Sequence, residues 1–411
     1  MSLTQGLLLV KYLLFLRVLT VLCVTPPLLW ANAALAANAT LGTMIPAAPK
    51  LGAEAWILID AETNRVITSH NSDARLPPAS LTKLMTAYIT THEIKAGLIS
   101  ADDEVVVSEN AWRTGGSRMF LKPGSSASVH DLLNGVIIDS GNDASVALAE
   151  HIAGSEAGFV GMMNSTASTL GMLNTHFMNA TGLPDPEHYS SARDMATLAR
   201  KVINEGTTYY PLYAKKTFTW NGIQQSNRNT LLWRNSTYDG LKTGHTEAAG
   251  YCLVASSQRD GQRLISAVLG ASSAHKRTAE TEKLMGYGFR FYDTQTYKKG
   301  GEVLSQVALW KGIQPYVNVG LLEDMTLTLP KNKNRDVEMR LAFDGPIEAP
   351  ITAGTVVGRL DLFDAEHKLG SRSLVVLVDA EQGHWWQRWW DTVHLFFTQT
   401  VRSWFDEAQV T

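Results

Sequence analysis

The stretch PPASLTKLMTA, Pro77 to Ala87, places a serine and a lysine three residues apart at the head of an apolar run. Leu81, Leu84, Met85 and Tyr88 recur at helical spacing, so a helix bound for a core follows the two prolines. Pro77 and Pro78 cannot continue it backward, which sets its start near Ala79 or Ser80. Residues three apart share a helix face, so Ser80 and Lys83 can touch. There the hydroxyl stands at the positive end of the helix dipole, beside N–H groups without intrahelical acceptors. A neutral Lys83 could take the Ser80 proton, and those N–H groups could hold an oxyanion. The competing reading is a helix cap at Ser80 with a solvated Lys83. Spacing alone does not choose between them, because SAHK, Ser273 to Lys276, has the same pattern.

The chain of 411 residues, 45% hydrophobic and 18% charged, has room for two or three domains and a large core. A formal net charge of -3 leaves no electrostatic footprint for nucleic acid. At the N-terminus, Lys11 and Arg17 precede VLTVLCVTPPLLW, and the small residues ANAALAANA follow. That order describes a secretory signal peptide over 1–36, cleaved after Ala36; Pro26 and Pro27 interrupt the run and argue against a retained anchor. Cys23 would leave with it, and Cys252, in the apolar run YCLVASS, reads as a buried small hydrophobe rather than a nucleophile. Residues 37–50 are small and proline-bearing, as in a linker.

Beyond the linker, AWILIDAETNRVITSH predicts two strands around a polar turn. Helical periods follow from Asp131 to Gly154, broken by DSGND, then over SEAGFVGMMNSTASTLGM and over SARDMATLARKVINEG, where Ser191 and Asp194 form a capping-box pattern. YCLVASSQRDGQRLISAVLGAS predicts a hairpin through Asp260-Gly261, and a helix from about His275 to Tyr292 closes the region. Strands at both ends with helices between predict a mixed α/β (α+β) domain with a mainly antiparallel sheet over 51–297. Over 300–381, MTLTLP, VEMRLAF and RLDLF alternate apolar and polar residues, the mark of a small all-β, sandwich-like module. In the tail, 384–407, Trp385, Trp386, Trp389, Trp390, Val393, Phe396, Phe397, Val401 and Trp404 share one helical face, and Arg388, Asp391, Thr398 and Arg402 the other. So many charges exclude a spanning helix, and the aromatic face predicts one lying in a membrane surface. The competing reading docks it on the protein's own body or on a second copy in a homodimer.

Two further patterns bear on Ser80. Ser140-Gly141-Asn142 lies in the break between helical segments, and Lys242-Thr243-Gly244 precedes the strand at Tyr251. S-x-x-K, S-x-N and K-T-G, in that order, are the elements of serine acyl-enzymes that act on penicillins and cell-wall peptides. With ASLTKLMTAY, RMFLKPG, SGNDASVALAEHIAG, YSSARDMA, DGLKTGHTEAAGY and FRFYD, nearly the whole chain after the signal resembles the low-molecular-mass penicillin-binding proteins, D-alanyl-D-alanine carboxypeptidases.

The resemblance implies a transpeptidase-like domain with a five-stranded antiparallel sheet and a helical subdomain, then the β domain and an amphipathic anchor on the periplasmic face of the inner membrane. Ser80 would attack the D-Ala–D-Ala bond of a peptidoglycan stem peptide, and β-lactams would acylate the same hydroxyl. Lys83 would be the base, Ser140 would pass a proton to the leaving nitrogen, and Asn142 would hold Lys83 and substrate backbone. The N–H groups of Ser80 and His245 would form the oxyanion hole, while Lys242, Thr243, Gly244 and Arg277 would line the pocket for the terminal carboxylate. Arg228 and Asp194 would support the wall. Neither a metal nor an organic cofactor is implied, and the histidines show no H-E-x-x-H spacing. Two rival readings stand beside this one. A class A β-lactamase needs a glutamate between the second and third motifs, and Glu150, Glu156, Glu187 and Glu205 all lack an E-x-x-L-N context. A weakly catalytic penicillin-binding module that maintains cell shape would keep the same motifs.

Overall fold

The computed structural model describes residues 45–205, 208–331 and 337–407, the stretch 397–407 by backbone alone. The signal-peptide expectation, 1–36, and residues 37–44 of the linker lie outside them.

AWILID forms strand β1, Ala55–Asp60, and VITSH forms β2, Val66–His70. Three more strands come from the far end of the domain: β3, Tyr238–Thr246; β4, Gly250–Arg259; and β5, Gln262–Ala271. They make one antiparallel sheet in the order β2-β1-β5-β4-β3. Asp260 and Gly261, with φ of 49° and 84°, turn the β4–β5 hairpin in the left-handed conformation that matches strand twist.

The longer helices inserted between are α1, Lys83–Lys95; α2, Asn142–Ala153; α3, Glu156–Thr169; and α4, Ala192–Glu205. Helix α5, Ala274–Phe291, follows β5. Ile57, Ile59, Ile265 and Ala267 bury one sheet face in the core shared with Leu84, Met85 and Leu198 of α1 and α4. On the other face Gly288 brings α5 against Leu58 and Leu264. Burial on both faces is why β1 reads as a continuous apolar run rather than an alternating one.

After α5 come β6, Tyr292–Lys298; β7, Val303–Trp310; β8, Tyr316–Gly320; β9, Met325–Pro330; β10, Val337–Phe343; β11, Ile347–Glu348; β12, Val356–Asp364; and β13, His367–Val376. β6 pairs with β9, and the others form a sheet in the order β10-β12-β13-β8-β7-β11. Val317, Val319, Leu374 and Val376 make a core of their own. The sequence reading carries the first domain to residue 297, whereas here residues 292–298 pair across to Met325–Pro330. YDTQTYK is too polar to show its allegiance in sequence, since threonines fill that ladder: Thr294 with Thr328 and Thr296 with Thr326. The junction with the first sheet is also hydrogen-bonded, Thr294 Oγ1 donating to Asp60 Oδ2 at 2.6 Å and Arg65 Nη1 to the Thr328 carbonyl at 2.8 Å.

Helix α6, Trp385–Glu407, ends the described chain. Its first turns dock on the β module. The Lys311 N–H donates to Asp391 Oδ2 at 2.6 Å, the Trp310 ring stacks on His394, and Leu395 is buried. Trp385, Trp389, Trp390 and Phe396 stay 80%, 59%, 62% and 67% exposed. The predicted face positions from Phe397 onward fall outside the described side chains.

Candidate active site

The two prolines do set a start, but the first turn, Ala79–Thr82, is 3-10 helix and α1 proper begins at Lys83. Ala79 takes a φ of +48°, a strained value that lifts Ser80 at the mouth of the turn. Ser80 caps nothing; its Oγ stands 3.2 Å from Lys83 Nζ. The turn is clamped from two sides by glycine. A Cβ on Gly182, whose φ is +85°, would lie 1.9 Å from the Ala79 carbonyl oxygen. A Cβ on Gly244 would lie 2.9 Å from the Pro78 carbonyl oxygen. Beneath the turn, His188 is neutral because burial pushes its imidazole down to about 4. Its Nδ1 accepts from the Met178 N–H at 3.2 Å, so its Nε2–H donates to Thr82 Oγ1 at 2.8 Å.

Ser140 follows a wide turn, Gly135–Asp139, and sits in the left-handed region with φ +60°, directing the chain into α2. The S-G-N motif thereby meets α1. Lys83 Nζ donates to Asn142 Oδ1 at 2.6 Å and to the Thr181 carbonyl at 2.5 Å. Asn142 Nδ2 donates to the Gly115 carbonyl at 2.6 Å, which fixes which end of the amide faces the lysine. The third motif lies within edge strand β3, not before a strand as the sequence suggested; two glycines, Lys242 and His245 hide its strand pattern. Lys242 Nζ donates to Ser140 Oγ at 2.9 Å and to the Thr243 carbonyl at 3.0 Å. Ser80, Lys83 and Asn142 therefore share one hydrogen-bonded group, and Lys242 and Ser140 a second that the chain joins to the first through Ser140-Gly141-Asn142. Lys83, Ser140, Asn142, Lys242, Thr243 and Arg277 are each at most 6% exposed.

Burial is the largest cause lowering the Lys83 ammonium to about 7, helped by the charge of Arg228 and opposed by Asp143. Lys242 is held well below its usual value by burial, then by Lys83, Arg228 and Arg277. Arg228 is exposed, yet its field reaches both amines. Arg277 lies on the first turn of α5, and its buried Nε has no hydrogen-bond partner among the described residues. A buried guanidinium nitrogen left without a partner invites an anionic ligand. His245 lies at the exposed end of β3 with its ring 4.0 Å from Tyr251.

Asp194 departs from its expected place. Its Oδ2 accepts from the Asn174 N–H at 2.8 Å and from Thr175 Oγ1 at 2.7 Å, so it steadies the loop that leads to Thr181 and supports the site at one remove. Ser191 Oγ accepts from the Asp194 N–H, the N-cap half of the expected box. The second S-x-x-K is a helix cap: Ser273 Oγ accepts from the Lys276 N–H. The glutamates between the motifs are occupied elsewhere, Glu150 with Ser108 and Asn110, Glu156 with the Ala180 N–H, and Glu205 with Tyr88 and Lys201, while Glu187 is exposed. Cys252 is buried, which pushes its thiol up to about 11.

Three contributors went unread in the sequence. The Thr181 carbonyl belongs to the backbone and has no residue signature. Asp143 accepts from the Met119 and Leu121 N–H groups at 2.8 and 3.1 Å, tying that segment over α2; only its place beside Asn142 hints at this. Asp139 is buried next to Ser140.

A family model described as D-alanyl-D-alanine carboxypeptidase matches residues 42–273, and one described as penicillin-binding protein 5, C-terminal domain, matches residues 291–382. The D-alanyl-D-alanine carboxypeptidase DacC of Escherichia coli is 42% identical over 385 residues, covering 92% of this chain and 95% of its own. Penicillin binding protein 5 from Haemophilus influenzae has a TM-score of 0.78 at 39% identity, covering 82% of this chain and 99% of that one. Penicillin-Binding Protein D2 from Listeria monocytogenes, solved in an ampicillin-bound form, has a TM-score of 0.55 at 33% identity, covering 59% of this chain and 99% of that one.

Proposed function

The chain belongs to the D-alanyl-D-alanine carboxypeptidase family, and from that premise we propose that Ser80 and Lys83 carry its chemistry. It is a serine-type carboxypeptidase that removes the terminal D-alanine of peptidoglycan stem peptides through an acyl-enzyme and is acylated by penicillins.

The observation that carries the assignment is the set of neighbours around Lys83 Nζ. A neutral amine has two hydrogens and one lone pair. Asn142 Oδ1 and the Thr181 carbonyl are obligate acceptors and take the two hydrogens, so the lone pair faces Ser80 Oγ. Lys83 then accepts the hydroxyl proton as Ser80 Oγ attacks the carbonyl carbon between the two D-alanines. Ser80 is the second residue of its turn, so its N–H has no intrahelical acceptor and can meet the oxyanion. The His245 N–H, on edge strand β3 across the Gly244 contact, is assigned as the second donor. Lys242, hydrogen-bonded to Ser140 Oγ, positions that hydroxyl to hand a proton to the leaving nitrogen, whose bond to the carbonyl breaks. Arg277, Lys242 and Thr243 hold the terminal carboxylate, an anion suited to the buried, unpartnered Nε of Arg277. Water then cleaves the ester at Ser80. Incubating the protein with a pentapeptide ending in D-Ala–D-Ala should release one D-alanine per peptide, faster than it turns over benzylpenicillin. Penicillin turnover outrunning D-alanine release would overturn the assignment in favour of a β-lactamase.

The same reading places the enzyme outside the inner membrane, held there by α6. No described helix is long and apolar enough to cross a bilayer, and α6 turns its exposed tryptophans away from the side docked on Lys311. Indole rings favour the boundary between headgroups and acyl chains. Truncation after Gln382 should therefore give a soluble protein with unchanged D-alanine release. Sedimentation of the truncated form with membranes would exclude α6 as the anchor.

A further inference from the structure

A cleft of about 280 Å³ opens where the β4–β5 hairpin, the last turns of α5 and the start of the β module meet. The hairpin lines it with Arg259 and Asp260, α5 with Phe289 and Arg290, and the β module with Asp293 and Lys331. It is remote from the reacting groups. On β4, Val254 stands opposite Lys242. Arg259 ends that strand roughly 17 Å farther along, at a rise of about 3.4 Å per residue.

Arg259 holds out a guanidinium that the protein itself does not use. Its Cζ lies 4.5 Å from the centre of the Phe289 ring, and Phe289 is buried, so the ring is a fixed floor for the cation. Its Nε is buried without a hydrogen-bond partner, and the guanidinium donates to no described residue. Arg263, across the same hairpin, shows the contrast. Its Nη1 donates to Asp239 Oδ2 at 2.6 Å and to Ser256 Oγ at 2.7 Å, and its Nη2 to Gln258 Oε1 at 2.8 Å. A planar fork of donors held on a ring matches a carboxylate. Lys331 adds charge from a fixed place, since its Nζ donates to the Phe289 carbonyl at 2.7 Å and its N–H to the Phe291 carbonyl at 2.8 Å.

The carboxylates of the cleft are also steadied. Asp293 Oδ2 accepts from Gln295 Nε2 at 2.6 Å, and Asp260 is set by its left-handed turn, φ 49°. Yet none of Arg259, Arg290 and Lys331 forms an ion pair with Asp260 or Asp293 among the described residues. Both signs of charge are thus left open to a ligand. A simple anion would face the two carboxylates, and a simple cation the three basic groups. A molecule carrying both signs meets both sets. The volume suits a small molecule, and domain junctions are where such sites form.

We propose that this cleft binds a small amino-acid zwitterion, its carboxylate on the Arg259 guanidinium and its ammonium group toward Asp260 and Asp293. D-Alanine, which the reaction releases, is such a zwitterion. Its supply rests on the carboxypeptidase reading; the binding itself does not.

The test is equilibrium dialysis of labelled D-alanine against the full chain in excess benzylpenicillin, which keeps Ser80 acylated and its carboxylate pocket filled. The native chain should bind one equivalent. Arg259→Gln should weaken binding by at least about tenfold, the scale of a lost hydrogen bond between charged groups. Its penicillin stoichiometry and its rate of D-alanine release should stay native, which shows an intact fold. D-Lactate, which has the carboxylate without the ammonium group, should bind the native chain more weakly than D-alanine. In the double variant Asp260→Asn, Asp293→Asn that preference should vanish. No binding to the native chain, or equal binding to Arg259→Gln, would overturn the proposal. D-Lactate or inorganic phosphate binding the native chain as tightly as D-alanine would overturn it too, and leave an anion site. A native chain that bound D-alanine in the cleft but released none from a pentapeptide would uphold the site and sink the carboxypeptidase reading.

Discussion

Ser80→Ala should take up no benzylpenicillin, whereas the native chain gains the mass of one antibiotic molecule. The side chain is half-buried at the mouth of a turn whose shape comes from Ala79, Gly182 and Gly244, not from the hydroxyl. Removing one oxygen therefore leaves the fold intact. It also leaves Lys83 bonded to Asn142 and Thr181, and Lys242 bonded to Ser140. What disappears is the atom that forms the ester. Release of D-alanine should fall by on the order of 10⁴-fold or more, the scale seen when a nucleophile is deleted from an otherwise complete site. Intact-mass spectrometry after incubation with penicillin reads the first effect, and a D-alanine assay the second. An adduct that persists on Ser80→Ala would place the nucleophile elsewhere, and the candidate is then Ser140.

The sequence exposes those parts of the site whose geometry is local. Ser80 and Lys83 are legible because three residues are one helical turn, and Ser140 and Asn142 because glycine and aspartates interrupt a helical period at DSGND. The β4–β5 hairpin is legible because Asp260-Gly261 suits one kind of turn. Features that depend on a distant partner are not. Among the described residues strand β3 pairs only with β4; Gly244 lies against the Ser80 turn and Gly240 against Tyr210 and Tyr213, so these glycines answer to distant contacts rather than to strand propensity. Strand β6 reads as polar because its ladder is built from threonine hydroxyls. The Thr181 carbonyl cannot be read from any residue type. Asp139 stands in plain view next to Ser140 and reads as a turn residue; only folding shows that it is dry and unpaired. Electrostatics is the least legible of all. Arg228 is exposed and distant in sequence, yet its field reaches both active-site lysines and Asp139.

Lys83→Met should leave acylation slower by on the order of 10²- to 10⁴-fold, the range over which a positioned base accelerates proton transfer. Methionine has similar length without branching, so it fills the buried channel of Lys83 while removing the lone pair. Ser80 keeps its hydroxyl and its oxyanion N–H, and the residual rate measures what those contribute alone. The pH profile separates loss of the base from a misplaced serine. In the native chain the neutral, active form of Lys83 predominates above about 7, because burial and then Arg228 disfavour its charge. Acylation should therefore rise with pH through that region and fall as the amine gains a proton below it. In Lys83→Met this limb should vanish, leaving a slow rate that climbs only with hydroxide. A residue that merely packed against Ser80 would change the height of the profile and leave its shape. The distinction is sharp here because the two hydrogens of the amine are spoken for. With Asn142 Oδ1 and the Thr181 carbonyl as acceptors, the position facing Ser80 is filled by a lone pair in the neutral lysine and by a third hydrogen in the charged one. Only the first can take the serine proton.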